Sequence, residues 1–203
     1  MVRTNIGLNS AMRTLTSAKS VAVILCFCVI FMGVIGGMVI RPAEASDEES
    51  KRGEYGIKAA FLYNVLQFIE WPDDKNISAG STINICILGD DPFDDTIDFF
   101  QQETIGNRKL VIKRLRIQKH IRDCQVLFIS SSEKGNIEHI LTTVKGLNVL
   151  TVGDTEGFSQ RGVLMNFYLE KNRVRFEINL NSLRLSGLRI SSKVLQLARI
   201  IKG

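Results

Sequence analysis

The sequence predicts an α/β domain, a three-layer α/β/α sandwich on a mostly parallel sheet, with a C-terminal hairpin and helix. Three observations carry that expectation. Short, nearly continuous apolar runs (INICILG, KLVIKRL, QVLFIS, NVLTVG) recur between Ile83 and Gly153, as strands buried on both faces do. Helical or turn-rich segments separate most of them, the order in which βαβ units are built. The 203 residues are 45% hydrophobic and 23% charged, enough for one sizeable core.

The N-terminus does not belong to that core. Arg3, Arg13 and Lys19 precede an uncharged stretch from Ser20 to Ile40, and Arg41, Pro42 and the triplet Ala43-Glu44-Ala45 follow. A basic region, an apolar region and an A-x-A site make a secretory signal. Residues 1–45 are therefore expected to be a signal peptide cleaved after Ala45. The apolar stretch is longer than the ~7 to 15 residues usual in such signals, and about 20 suffice to span a bilayer, so an uncleaved anchor stays open beside it. Removing residues 1–45 leaves 22 Lys and Arg against 20 Asp and Glu. The basicity of the whole chain, net +5, thus belongs largely to the export signal and does not argue for nucleic acid. The domain is expected to be exported, or held on the membrane if the signal is retained.

Residues 46–54, SDEESKRGE, read as a flexible polar arm, and residues 55–203 as the folded domain. In GIKAAFLYNVLQFIEWP, Leu62, Val65, Leu66 and Ile69 recur at helical spacing, and Pro72 stops the helix. Phe61, Asn64 and Phe68 form an adjacent stripe. Core packing is the plain reading of these residues; a partner-binding surface using Phe61, Phe68 and Trp71 is the functional one.

After the strand INICILG come Asp90, Asp91, Asp94 and Asp95. At the carboxyl end of a parallel strand such acids can hold a metal or do acid–base work. They also suit a helix start: Asp90 or Asp91 as N-cap before Pro92, Asp94 and Asp95 in the first turn of DPFDDTIDFFQQE. Asp154, after NVLTVG, reads as turn chemistry. An acid-site hydrolase using Asp90, Asp91 and Asp154 is the enzymatic alternative. The basic run from Arg108 to Arg122 alternates with Leu110, Ile112, Leu115 and Ile117, a half-buried strand with a solvated face. KGNIEHILTTVKG reads as a helix, VLMNFYLE and RVRFEINL as a hairpin turning at Lys171-Asn172. Val194, Leu197, Ala198 and Ile201 mark an amphipathic C-terminal helix capped by Ser191 or Ser192. His120 and His139 stand apart from any nucleophile, and no hydrolase, zinc or phosphate-loop motif occurs. No catalytic residue, metal ligand or cofactor is assigned.

Export leaves two cysteines, Cys86 and Cys124, each at a strand-like segment. In an oxidising compartment a single bridge is expected, with two buried free thiols as the alternative. Closing such a loop stabilises a fold by about 4 kcal/mol in the chain-entropy treatment.

Seven stretches, KAAFLYNVLQFIEWP, ICILGDDPF, CQVLFIS, LTVGDTEGF, GVLMNF, RFEINL and LRISSKVLQLARII, together resemble the YfiR/HmsC-like family of periplasmic regulators. They keep the family's order and run from Ile57 to Ile201. The resemblance implies that Cys86 and Cys124 form the family's structural disulfide; the second cysteine pair of some relatives is missing here. It also implies a small α/β/α protein without enzymatic activity that binds the periplasmic part of an inner-membrane diguanylate cyclase and represses it, so that release raises cyclic di-GMP and biofilm formation. Relatives beside histidine kinases make another membrane sensor protein an alternative partner, and a small-ligand-binding sensor domain the alternative function. The sequence leaves a homodimer open.

Overall fold

The computed structural model describes residues 42–72, 82–116 and 118–202; the apolar stretch Ser20–Ile40 of the expected signal lies outside them. Residues 46–203 form a compact unit of their own. Its centre is an eight-stranded sheet in the order β10–β8–β7–β6–β5–β2–β4–β3. The strands are β2 (Thr82–Leu88), β3 (Thr104–Ile105), β4 (Arg108–Leu115), β5 (Val126–Ile129), β6 (Leu150–Gly153), β7 (Met165–Glu170), β8 (Arg173–Asn179) and β10 (Arg199–Ile201). All neighbours pair in parallel except β3 with β4 and β7 with β8. A separate antiparallel pair joins β1 (Ile69–Glu70) to β9 (Arg189–Ile190). The α/β class read from the sequence is the observed one.

The four predicted parallel strands are present where the apolar runs placed them, and β5 and β6 are buried at every position. The hairpin turns at Lys171 and Asn172, both with positive φ (50° and 58°), the geometry of a two-residue turn that follows the twist of its strands.

Helix α1 (Pro42–Leu66) covers one face of the sheet. Its residues Ala59, Leu62, Val65 and Leu66 are buried in a cluster with Ile83, Ile85, Phe128 and Phe176. The opposite face holds a second cluster, built from Cys86, Leu127, Ile129 and Phe158 under α2 (Ile137–Val144) and the 3₁₀ turn Gln118–Asp123. These are the three predicted layers.

Several local readings differ from the structure; the first helix, expected to run to Pro72, ends at Leu66, and Ile69 lies in β1. Residues 46–54, expected as an arm, lie within α1; their Glu, Lys and Arg are good helix formers, Glu54 pairs with Lys58 one turn on, and Arg52 reaches Asp95 off the helix. DPFDDTIDFFQQE is not an α-helix but turns followed by a 3₁₀ turn, Asp98–Phe100. The C-terminal helix stops after one turn: α4 is Ser192–Leu195, and the chain then extends into the edge strand β10. Ser191 does cap α4, its side chain accepting from the Lys193 N–H. Ahead of it, α3 (Leu180–Ser186) follows β8 and ends at Gly187.

Candidate functional site

The residues singled out as a partner surface have three different fates. Trp71 is buried, 7% exposed, in the α1-side core, with the Arg108 guanidinium over its ring. Phe61 is half-buried, its ring centroid 6.0 Å from that of Phe176 on β8. Phe68 is 43% exposed, just past the end of α1, where its N–H bonds the Val65 carbonyl. Ile57, at helical spacing from Phe61, is 50% exposed. Ile57 on α1 and Phe68 just past its end therefore leave apolar surface exposed, with half-buried Phe61 between them, while Trp71, expected in the same surface, is buried.

Cys86 and Cys124 are bridged, with Cα atoms 5.9 Å apart, and both are buried. Cys86 lies in mid-β2 and Cys124 at the start of the chain into β5, so the bond ties the middle of the sheet to the crossover that covers it. Neither sulfur lies in an exposed, electropositive setting where a thiol would react.

The acids do not form one site. Asp91 receives the Phe93 N–H at 2.8 Å, an Asx turn rather than a helix cap, and its other oxygen takes the Arg114 Nε at 2.6 Å. Arg114 also donates to Asp98 and to the Asp94 carbonyl, which folds the segment around one guanidinium; its hydrogen bonds to the Asp98 carboxylate hold the Arg114 pKa above its usual value. Asp95 pairs with Arg52 at 2.5 Å. The Asp90 N–H bonds Ser132 Oγ. This approach requires Gly89, with φ 92°, because a Cβ there would lie 2.4 Å from that oxygen.

Asp154 departs most from its reading. Its side chain is buried, and one oxygen accepts from both Tyr55 Oη (2.7 Å) and Lys58 Nζ (2.8 Å) on α1. Lys58, itself buried, also meets Glu54 at 2.6 Å. Burial first, and the Asp154 carboxylate second, push the Tyr55 pKa far above that of a free phenol. This network fastens α1 to the carboxyl end of β6. It joins residues 96 and 99 positions apart in sequence, so no local pattern announces it; the polar residues of GEYGIK in an apolar helix were the available signal.

Beside it opens a cleft of about 700 Å³, lined by Tyr55, Lys58, Asp154, Asn166, Glu177 and Arg199 among others. Asn166, Glu177 and Arg199 of its lining form one row across β7, β8 and β10, and the row continues beyond the lining to Gly153 on β6. Arg199 binds the buried Glu177 and lies 3.9 Å above the Tyr168 ring centroid. Gly153 lets the row close up: a Cβ would meet Phe158 at 2.7 Å and the Asn166 side-chain oxygen at 3.0 Å. Among the described residues no three His, Cys, Asp or Glu side chains are grouped to hold a metal.

Among solved structures, the chain is similar to a conserved domain protein from Vibrio cholerae O1 biovar El Tor (TM-score 0.51, 10% identity, 73% of this chain and 60% of that one). It also matches an ABC domain in complex with L-Trp from Streptococcus pneumoniae (TM-score 0.45, 9% identity, 59% of this chain and 55% of that one). The first likeness concerns the fold alone, and this chain spans about 60% of that relative's length. The match to the YfiR/HmsC-like family covers residues 55–199. That span takes in α1 from Tyr55 onward, the bridged cysteines and the sheet as far as the first residue of β10, and the chain belongs to the YfiR/HmsC-like family.

Proposed function

We propose that this chain is a non-enzymatic periplasmic regulatory protein that binds the periplasmic sensor part of an inner-membrane diguanylate cyclase and represses it, lowering cyclic di-GMP and biofilm formation. The observation that carries the reading is the family match over residues 55–199, since regulation in cyclic di-GMP signalling is the family's general role. Exposed side chains on and just past α1 support it: Ile57 and Phe68 leave apolar surface in water beside Phe61, and aromatic side chains are favoured anchors of protein interfaces. Trp71 is buried, so the proposed contact is drawn without it. No helix among the described residues is long and apolar enough to cross a membrane.

A second reading, a small-ligand-binding sensor domain coupled to a histidine kinase or transporter, is favoured by the polar cleft beside Asp154. The two separate in cells. Deleting the gene should raise cyclic di-GMP and biofilm, and expressing the full chain should restore both. An unchanged cyclic di-GMP level on deletion, with the neighbouring kinase or transporter output altered instead, overturns the first reading in favour of the second.

A further inference from the structure

The cleft beside Asp154 has the wrong charge to be left alone. Glu54, Asp154, Glu156 and Glu177 line it, against Lys58 and Arg199: four carboxylates face two cations. Both cations are already engaged, Lys58 by Glu54 and Asp154 and Arg199 by Glu177. Acceptors are in surplus as well. Asn166 is 1% exposed; its NH₂ donates to the Thr155 carbonyl, which leaves its oxygen as a buried acceptor without a hydrogen bond, and Thr155 Oγ1 is likewise buried and unbonded. Leaving a buried polar atom unmade costs more than making the bond gains, so an orphaned acceptor in the floor of a cleft points to a donor from outside the chain.

From these features we propose that the cleft binds a small organic cation, a protonated amine or guanidinium on a short apolar body. Such a ligand supplies N–H donors and positive charge together, the two quantities the cleft lacks. The partly exposed Tyr168 and Leu169 give its body apolar contact, and the rings of Tyr55 and Tyr168 already hold Lys58 and Arg199 against their faces, as cation–π attraction favours. The volume, about 700 Å³, lies within the range of small-molecule sites. A divalent metal fits less well, because Lys58 and Arg199 already neutralise three of the carboxylates and among the described residues no three His, Cys, Asp or Glu side chains are grouped to hold one. Its lining includes neither Ile57 nor Phe68, and it goes beyond regulation by protein contact by giving the regulator something to sense.

The test is a titration of the purified, exported chain with agmatine and with putrescine, followed by ¹H–¹⁵N NMR, with 1,4-butanediol, succinate and calcium as controls. Saturable shifts at residues 154–160 and at the Asn166 side-chain amide are expected with the two amines and not with the diol or the dianion. Glu177→Gln should weaken binding at least about tenfold, the size of one charge-assisted hydrogen bond. If that variant does not fold, Glu156→Gln at the exposed rim carries the same comparison, with weakening of about two- to fivefold. Absence of saturable shifts with either amine overturns the proposal. So does saturation by calcium alone, or unchanged affinity in the folded charge-neutralised variant. None of these outcomes depends on whether the chain binds a cyclase.

Discussion

The two faces of the sheet solve the same packing problem differently. On one, a 25-residue helix covers the strands and supplies aromatic contacts, Phe61 on Phe176, Tyr55 on Phe93 and Tyr63 stacked on Phe100. On the other, the cover is an eight-residue helix and a six-residue 3₁₀ turn, and the disulfide lies beneath it. Among the described residues the first cluster buries 24 apolar side chains and the second 12. Apolar burial contributes roughly in proportion to area, so the thinner face gains relatively more from a covalent bond that restricts the unfolded chain. The long helix also carries the exposed Ile57, with Phe68 exposed just past its end. Stability by staple thus falls to one face, and under the proposed function contact with a partner falls to the other.

The largest expected effect lies where α1 meets the sheet. Lys58→Met leaves Asp154 buried without its cation and should cost about 3 to 5 kcal/mol, read as a fall in the urea midpoint with an unchanged slope. A loss below about 1 kcal/mol would mean that water compensates Asp154, and that α1 is held by its apolar side alone.

On the opposite face, replacing both Cys86 and Cys124 with Ala should cost about 2 to 5 kcal/mol, and periplasmic abundance should fall with it. A smaller loss than this would show that α2 and its 3₁₀ turn hold the second cluster unaided.

Tyr55→Phe removes one hydrogen bond and should cost about 0.5 to 1.5 kcal/mol near neutrality. Its pH dependence is more informative. The folded state raises the Tyr55 pKa, whereas the unfolded phenol ionises near pH 10. Unfolding therefore releases a proton above about pH 10, and the stability that is fully present below that pH falls as pH rises beyond it. Thermal unfolding between pH 9 and 11 should show a steeper alkaline decline in wild type than in Tyr55→Phe. Equal slopes would place the buried contact of the phenol with Asp154 in doubt. Smallest of all is Asp90→Asn: the residue is exposed and its N–H rather than its carboxylate makes the bond to Ser132, so the change should lie within about 0.5 kcal/mol.

The two faces were not equally legible in the sequence. The strands of the sheet's middle were, because burial on both faces writes an unbroken apolar run, and so was the hairpin, because Lys171-Asn172 interrupts two alternating segments. The cysteine pairing followed from compartment and count. The C-terminus misled because VLQLARII satisfies two patterns: Val194, Leu197, Ala198 and Ile201 have helical spacing, while Arg199–Ile201 finds a parallel partner in Glu177–Asn179, a tertiary contact that outweighs local preference. The acids after β2 misled for a similar reason, since Arg114, 16 to 23 residues away, draws Asp91 and Asp98 into a turn that propensity alone would have made a helix. The cleft was invisible because its row of residues comes from three strands.

The division of labour between the faces is tested most directly by one paired measurement: affinity per folded molecule for the periplasmic segment of the partner cyclase, with the unfolding midpoint of the same samples. It compares wild type, Phe68→Glu and the Cys86→Ala, Cys124→Ala double variant at a temperature where all three are folded. The account predicts that Phe68→Glu weakens binding at least about tenfold, as loss of an interface anchor does, with stability changed by no more than about 0.5 kcal/mol, and that the cysteine variant loses stability but keeps wild-type affinity. Wild-type affinity in Phe68→Glu together with a large affinity loss in a folded cysteine variant would contradict it, and would put the partner on the disulfide face.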